Sequence, residues 1–349
     1  MKKVLLGMSG GVDSSVSAIL LKEQGYDVIG ITLELFGGTC CNTDAIVGAK
    51  QICNSIGIPH ITYNLKEEFQ CKVINNFIDE YSNQRTPNPC IECNKYMKFG
   101  AMYEKAKELG CDYIATGHYA KMEYSDEYGK YVLRKAKNLS KDQSYVLYNM
   151  PKQLLGKVLF PLGDFESKED VRKIAKEHNL SVASKPDSED ICFIPDGNYK
   201  KFLEQNSSIA PKEGNIVNRK GEILGRHTGL YNYTIGQRKG LGISYKVPLF
   251  VIGFNKERNE VIVGEQQELY RKEMKVNEVN LLLMDKIERT LDITVKIRYA
   301  SKPAEAIINQ TKAGNIQVIF KEPQRGITPG QSAVFYIGDV VVGGGKIQD

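Results

Sequence analysis

Two groups of residues have the types and spacing that chemistry requires. The first is Gly7-Met8-Ser9-Gly10-Gly11-Val12-Asp13-Ser14, continued by Ser15 and Val16. An apolar run, Val4-Leu5-Leu6, precedes it, and Val16, Ile19 and Leu20 follow on one helical face. The stretch reads as strand, glycine turn and helix start. Gly10 and Gly11 allow positive φ and close approach to a ligand. Asp13, Ser14 and Ser15 fall where caps and first-turn residues belong. Amide donors at a helix start, backed by the helix dipole, bind anions. The lysine of a Walker loop is missing after the last glycine, and the dinucleotide spacing G-x-G-x-x-G is absent.

The second group is the cysteines. Thr86-Pro87-Asn88-Pro89-Cys90-Ile91-Glu92-Cys93-Asn94 carries a C-x-x-C pair. Its two prolines disfavour helix and central strand, so a loop over 83–94 is expected. Cys192 follows an acidic stretch, 187–190. Three readings compete. Buried apolar thiols suit Cys53, Cys71 and Cys111, which sit among helical or strand residues. Structural zinc wants four ligands, usually two such pairs. Here there is one pair, Cys192 and the adjacent Cys40-Cys41, which are awkward in one tetrahedral site. In the third reading one cysteine carries a persulfide, and another attacks it or resolves the disulfide.

Composition bounds the setting. With 349 residues, two or three domains are expected, each with its own core. A hydrophobic fraction of 42% and a charged fraction of 26% are those of a globular protein, not a disordered one. The formal net charge of +5 permits a polyanionic partner without demanding one. The apolar run after Met1-Lys2-Lys3 is too short for a signal peptide, and no run reaches membrane-spanning length. A cytoplasmic location is expected, with reduced cysteines and no membrane partner.

The elements that must position these residues alternate in the first half. Strands are expected at Val4–Leu6, Val28–Leu33, Ile58–Tyr63 and Tyr113–Thr116, with helices near 44–57, 67–81 and 98–109. That rhythm predicts an α/β fold with a parallel sheet and helices on both faces. Ligands bind beyond the carboxyl ends of such strands, where the glycine loop, Leu33 and Gly117-His118 should meet. A hairpin is expected at 124–133, and Ser167 with Asp170 marks a helix start. From about Pro211 glycines recur and strands shorten. From about Val276 alternation dominates, which predicts a small antiparallel β-barrel. The expected domains are 1–210, a small central domain 211–275 and a barrel domain 276–349.

Ser-Gly-Gly-Val-Asp-Ser resembles the PP-loop of the ATP pyrophosphatases, in which the loop holds the β,γ-pyrophosphate. Over almost its whole length the chain resembles the bacterial tRNA-specific 2-thiouridylase family. The likeness rests on Ser9–Val16, Thr86–Asn94, Gly117–Ala120, Lys141–Tyr145, Asp187–Phe193, Tyr233–Gly242 and Gly330–Tyr336. It implies a Rossmann-like PP-loop domain and ATP-dependent thiolation at C2 of the wobble uridine of tRNA. ATP with Mg²⁺ would adenylate the uracil oxygen, and sulfur would come from a persulfide. By position, Cys93 is the nucleophile and Cys192 holds the persulfide; the two can close a disulfide. Gly7, Met8, Ser9, Gly10, Gly11, Val12, Asp13, Ser14, Leu33 and Gly117 would contact ATP. Asn88, Pro89 and Cys90 would meet the flipped base, which must leave its stack to react. His118, Lys141, Asp142, Gln143, Arg298, Tyr299 and Gln331 would touch tRNA. A sulfur donor is implied: a cysteine desulfurase, a sulfur-relay protein or free sulfide.

The chain departs from the family at Cys90, where known members carry an Asp assigned to acid–base work. Glu92 is near but shifted. Either another group handles the proton or none is needed. Alternatively Cys90, Cys93 and Cys192 hold a [4Fe-4S] cluster whose open iron takes sulfide. Another PP-loop ligase remains a further alternative. Asp13 is a candidate for Mg²⁺ through water or for a helix cap. Arg238 and Lys239, near Tyr231 and Tyr233, suit RNA phosphate and stacking contacts. His60 and His178 read as surface residues, Cys40-Cys41 as a loop, and Gly343–Gly345 as a bulge or turn.

Overall fold

The computed structural model describes residues 1–36, 43–185, 191–207 and 211–348. Cys40, Cys41 and the acidic residues 187–190 lie outside the described residues. The first domain begins β1 (Lys3–Gly7), α1 (Val12–Glu23), β2 (Asp27–Glu34), α2 (Thr43–Ile56), β3 (His60–Asn64) and β4 (Tyr113–Ala115). A hairpin of β5 (Ala120–Ser125) and β6 (Lys130–Lys135) follows, then the two-residue β7 (Val158–Leu159). The parallel sheet has the order β3-β2-β1-β4-β7. Val4, Leu5 and Leu6 are all fully buried, because helices cover both faces. Val4 and Leu6 pack towards α1 and α2, whereas Leu5 joins Ile31 and Ile114 on the other side.

The proline-bearing segment differs from the expected loop. Its non-helical part ends at Asn88. A helical turn Pro89–Glu92 leads into a π-helical stretch Cys93–Ala101 and then the helix Met102–Glu108. Pro89 occupies the first helical position, where a missing N–H costs nothing. Asn88 caps the turn, its Oδ1 accepting from the Cys90 amide at 3.1 Å. Both cysteines of the pair therefore stand on a helix. The helical run 66–82 also contains a π segment, Gln70–Ile74.

The central domain is a sheet of β8 (Gly214–Val217), β9 (Ile223–His227), β10 (Phe250–Asn255) and β11 (Glu260–Gly264), in the order β10-β11-β8-β9. The C-terminal strands are β12 (Tyr270–Leu281), β13 (Leu291–Lys296), β14 (Ala304–Gln310), β15 (Ile316–Arg325), β16 (Ser332–Ile337) and β17 (Val340–Ile347). They pair β12-β15-β14-β13-β16-β17, and β17 returns to β12, closing a six-stranded antiparallel barrel. Closure needs Gly343: a Cβ there would lie 2.3 Å from the Asn280 carbonyl oxygen, beside a register shift in the β12–β17 pairing.

The barrel is fastened to the first domain. Its β17 pairs with β6 at Val340 and Arg134. One apolar cluster contains Leu5, Ile114 and Tyr145 of the first domain together with Leu282, Val334 and Tyr336 of the barrel. Among the described residues, no helix is long and apolar enough to cross a membrane.

Candidate functional site

The glycine loop stands where the parallel sheet ends. Gly7 closes β1, Gly10 turns with φ +70°, and Gly11 is the extended N-cap of α1 with no side-chain cap bond. Asp13, Ser14 and Ser15 fill the first turn. Ser14 Oγ and Ser15 Oγ both donate to the Gly11 carbonyl, at 3.1 and 2.8 Å, which fixes the shape of the loop. A helix opened this way offers its N-terminal dipole to an anion. Leu33, near the end of β2, lies at the same edge. Gly117 follows β4 so closely that a Cβ would lie 2.9 Å from Asp13 C and Ser14 N. The three segments expected to share one edge are thus brought together.

Asp13 neither caps the helix nor stands open to a cation. Lys168 donates to both of its carboxylate oxygens at 2.6 Å, and the Tyr119 hydroxyl donates to Oδ1 at 2.8 Å. Lys168 is buried at the start of the helix Lys168–Glu177, capped by Ser167. Nothing in the local sequence marked it, because 155 positions separate it from Asp13. Lys185 reaches the Gly10 carbonyl at 3.4 Å.

Cys93 and Cys192 border the same apolar cluster, built on Phe69, Phe77, Met97 and Phe193. Leu33 packs against that cluster too. Phe193 fastens the Cys192 segment, its ring 5.2 to 5.7 Å from those of Phe202, Phe77 and Phe69. Cys93 opens the π-helical stretch, and π segments are frequent at functional sites. Asn94, beside it, is buried; its Nδ2 donates to the Val146 carbonyl at 2.9 Å, while its Oδ1 finds no partner among the described residues.

Cys90 is exposed and within electrostatic reach of Tyr299, whereas Cys93 packs against the aromatic cluster. Among the described residues, no group of three or more His, Cys, Asp or Glu side chains is arranged to hold a metal. The three-thiolate set of an iron–sulfur cluster at Cys90, Cys93 and Cys192 is thus not shown among the described residues. Glu92 faces Lys346, Lys95, Glu278 and Glu80, and burial raises its carboxyl above the usual range.

The residues expected to touch tRNA have varied settings. His118 is buried; its Nδ1 lies 2.7 Å from Thr116 Oγ1 and its Nε2 3.3 Å from Lys98 Nζ. A lysine can only donate, so Nε2 is the accepting nitrogen. Burial, reinforced by Lys98, holds this imidazole well below its ordinary value and therefore neutral. Asp142 is buried and accepts from the Ala136 and Ser144 amides and the Ser144 hydroxyl. Gln143 Oε1 accepts from the Tyr119 amide. Lys141 is half-buried in the preceding turn. Arg298 donates to the Arg325 carbonyl at 2.8 Å, and Tyr299 is 42% exposed. Gln331 donates to the Thr86 carbonyl at 2.8 Å, so the barrel grips the segment leading to the cysteine pair. In the central domain Arg238 and Lys239 are exposed. Tyr231, expected to stack on RNA, is instead buried with its hydroxyl on Glu204. His60 is not a plain surface residue either: it is half-buried, 2.8 Å from Thr32 Oγ1.

A glycine loop opening a helix at the carboxyl edge of a parallel sheet makes this chain an enzyme of the PP-loop class. Three family profiles match in series: a tRNA methyl transferase HUP domain at 2–196, a tRNA methyl transferase PRC-barrel domain at 200–265 and an aminomethyltransferase beta-barrel domain at 271–347. The tRNA-specific 2-thiouridylase MnmA of Clostridioides difficile (strain 630) is 48% identical over 355 residues, covering 99% of this chain and 98% of that one. The protein of the same name from Halothermothrix orenii is 47% identical, covering 100% and 99%. The chain belongs to the tRNA-specific 2-thiouridylase family. A solved 4-thiouridine synthetase–RNA complex with bound ATP aligns with a TM-score of 0.38 at 18% identity, over 58% of this chain and 50% of that one, too slight a likeness to carry an argument.

Proposed function

We propose that the protein is a tRNA-uridine 2-sulfurtransferase, acting on the wobble uridine with ATP as the activating substrate. The observation that carries this reading is that Cys93, Cys192 and Leu33 border one cluster, with Leu33 on the strand that pairs with the one leading into the glycine loop. The uridine leaves its stack, and its O2 attacks the α-phosphorus of ATP. The P–O bond to the β-phosphate breaks, and pyrophosphate departs from the glycine loop at Gly7 to Ser14. Backbone amides there meet the growing phosphate charge, the kind of electrostatic effect that is usually largest in such reactions. Mg²⁺ enters with the nucleotide phosphates.

A persulfide on Cys192 then attacks C2 through its terminal sulfur, and AMP leaves with the former O2. The Cys93 thiolate attacks the Cys192 sulfur, which releases 2-thiouridine and forms a Cys93–Cys192 disulfide. Two equivalents of an external thiol reduce it, and a cysteine desulfurase or relay protein then passes the outer sulfur of its own persulfide to the Cys192 thiolate; free sulfide serves instead by attacking Cys192 in the disulfide, which forms the persulfide and frees Cys93. Asn88, Pro89 and Cys90 bound the place of the base. This thiol chemistry fits a reducing, cytoplasmic setting.

The test is incubation of unmodified tRNA with ATP and protein whose Cys192 has been loaded with persulfide by a cysteine desulfurase and free cysteine, followed by nucleoside mass spectrometry. We expect 2-thiouridine at the wobble position, with AMP and pyrophosphate formed only when tRNA is present. ATP cleavage to AMP without tRNA, or tRNA left unsulfurated, contradicts the proposal.

A further inference from the structure

The ends of β6 and β13 bring two lysines to one place. Lys135 Nζ lies 4.3 Å from the centre of the Tyr336 ring and donates to the Gly338 carbonyl at 3.1 Å. Lys296 Nζ lies 5.5 Å from the Tyr299 ring and 5.8 Å from the Tyr145 ring. Both side chains are half-buried. Burial lowers each ammonium from its ordinary value, and Lys135 lowers that of Lys296 further. The carboxylates facing them are Asp142 and Asp339. Asp142 is engaged by the Ser144 and Ala136 donors, and Asp339 is held by Arg134 at 2.7 Å. Among the described residues, neither lysine has a carboxylate ion-pair partner.

Two cations held near each other, partly shielded from water, with no carboxylate ion-pair partner among the described residues, are an arrangement that an anion relieves. The surroundings say which anion. Tyr299 is exposed and lies within electrostatic reach of Cys90 on the cysteine-pair helix. A ring open on one side suits a base, and ammonium groups beside it suit the adjoining phosphodiester.

We propose that Lys135 and Lys296 form a phosphate clamp that grips the RNA backbone next to the nucleotide presented to the cysteines. The clamp rests on the reading of tRNA as substrate. Its two lysines come from different domains, so it also ties RNA binding to the seating of the barrel on the sheet domain. Asp142 acts within it as an internal brace.

The experiment measures binding of an unmodified tRNA transcript to the full-length protein across a salt series, with ATP binding measured in parallel. The Lys135→Gln/Lys296→Gln variant should bind tRNA at least about tenfold more weakly, and its slope of log affinity against log salt should shrink by about one. ATP affinity should be unchanged, and Lys135→Arg/Lys296→Arg should bind nearly as wild type. A folded double Gln variant with wild-type tRNA affinity and slope overturns the clamp. An equal loss of ATP affinity also overturns it, because the anion would then be a nucleotide phosphate. If the double variant does not fold, the two single Gln variants are read by the same criteria. Failure of the wild type itself to bind tRNA would instead refute the proposed substrate.

Discussion

Lys168 Nζ sits 2.6 Å from both carboxylate oxygens of Asp13, joining the helix Lys168–Glu177 to the first turn of α1. A bare carboxylate at that turn would repel a pyrophosphate; the buried ammonium cancels its charge while leaving the helix dipole unopposed. Lys168→Met should therefore weaken ATP binding and lower stability by roughly 1–3 kcal/mol, a range kept modest because Asp13 is partly exposed. Adding Asp13→Asn should restore part of the stability. Denaturant melts of the four proteins in the cycle, with ATP titrations, check this; strictly additive losses would mean that the two residues do not act as a pair.

The neutral His118 sets a pH dependence. Its folded value is depressed, so the unfolded chain takes up a proton that the native site refuses. Stability from this group is complete above the ordinary histidine range and is lost as pH falls below about 6.5, by up to about 1.4 kcal/mol per pH unit. His60 and His227 are shifted in the same direction by burial, so the comparison must isolate one site. Between pH 7 and pH 5, a range set by ordinary His and carboxylate values, His118→Gln should show a shallower decline than wild type. Parallel curves would remove His118 from the explanation.

Gly117 is expected to tolerate no side chain. A Cβ would strike the backbone of Asp13 and Ser14 at 2.9 Å, and backbone cannot step aside as a flexible side chain can. Gly117→Ala should cost roughly 1–3 kcal/mol and raise the ATP concentration needed for half-saturation. Unaltered nucleotide affinity would show that this approach does not shape the loop.

How far the sequence foretold this arrangement depended on the range of each interaction. The glycine loop was legible because strand, turn and helix signals lie within about a dozen neighbouring residues. The barrel was legible because alternation in 293–299 and 316–320 has a period of two. The helix over Cys90 and Cys93 was missed because Pro89, a breaker inside a helix, is well suited to its first position. The strand Val158–Leu159 is too short for any periodic signal. Lys168 and Tyr119 meet Asp13 across 155 and 106 positions, and no local pattern encodes such a meeting. The core shared by Leu5, Tyr145 and Tyr336 was hidden for the same reason.

Gln331 shows what the barrel does for the cysteine pair. Its amide holds the Thr86 carbonyl at 2.8 Å, while Thr86 N–H donates to Pro329 O at 2.9 Å. Gln331→Ala should remove about 0.5–1.5 kcal/mol and speed amide exchange over 85–90, with ATP binding intact. Thiolation should fall with that loosening. Unchanged exchange in 85–90 would leave direct RNA contact as the role of Gln331.

The convergence of two sulfurs is tested most directly by peptide mapping after a single turnover. Protein loaded with persulfide is mixed with ATP and tRNA in the absence of reductant, quenched with a thiol-alkylating reagent and digested. A Cys93–Cys192 disulfide is expected to appear in step with 2-thiouridine, and Cys93→Ala should yield neither. Thiolated tRNA formed while both cysteines remain alkylatable, or formed undiminished by Cys93→Ala, would contradict the mechanism.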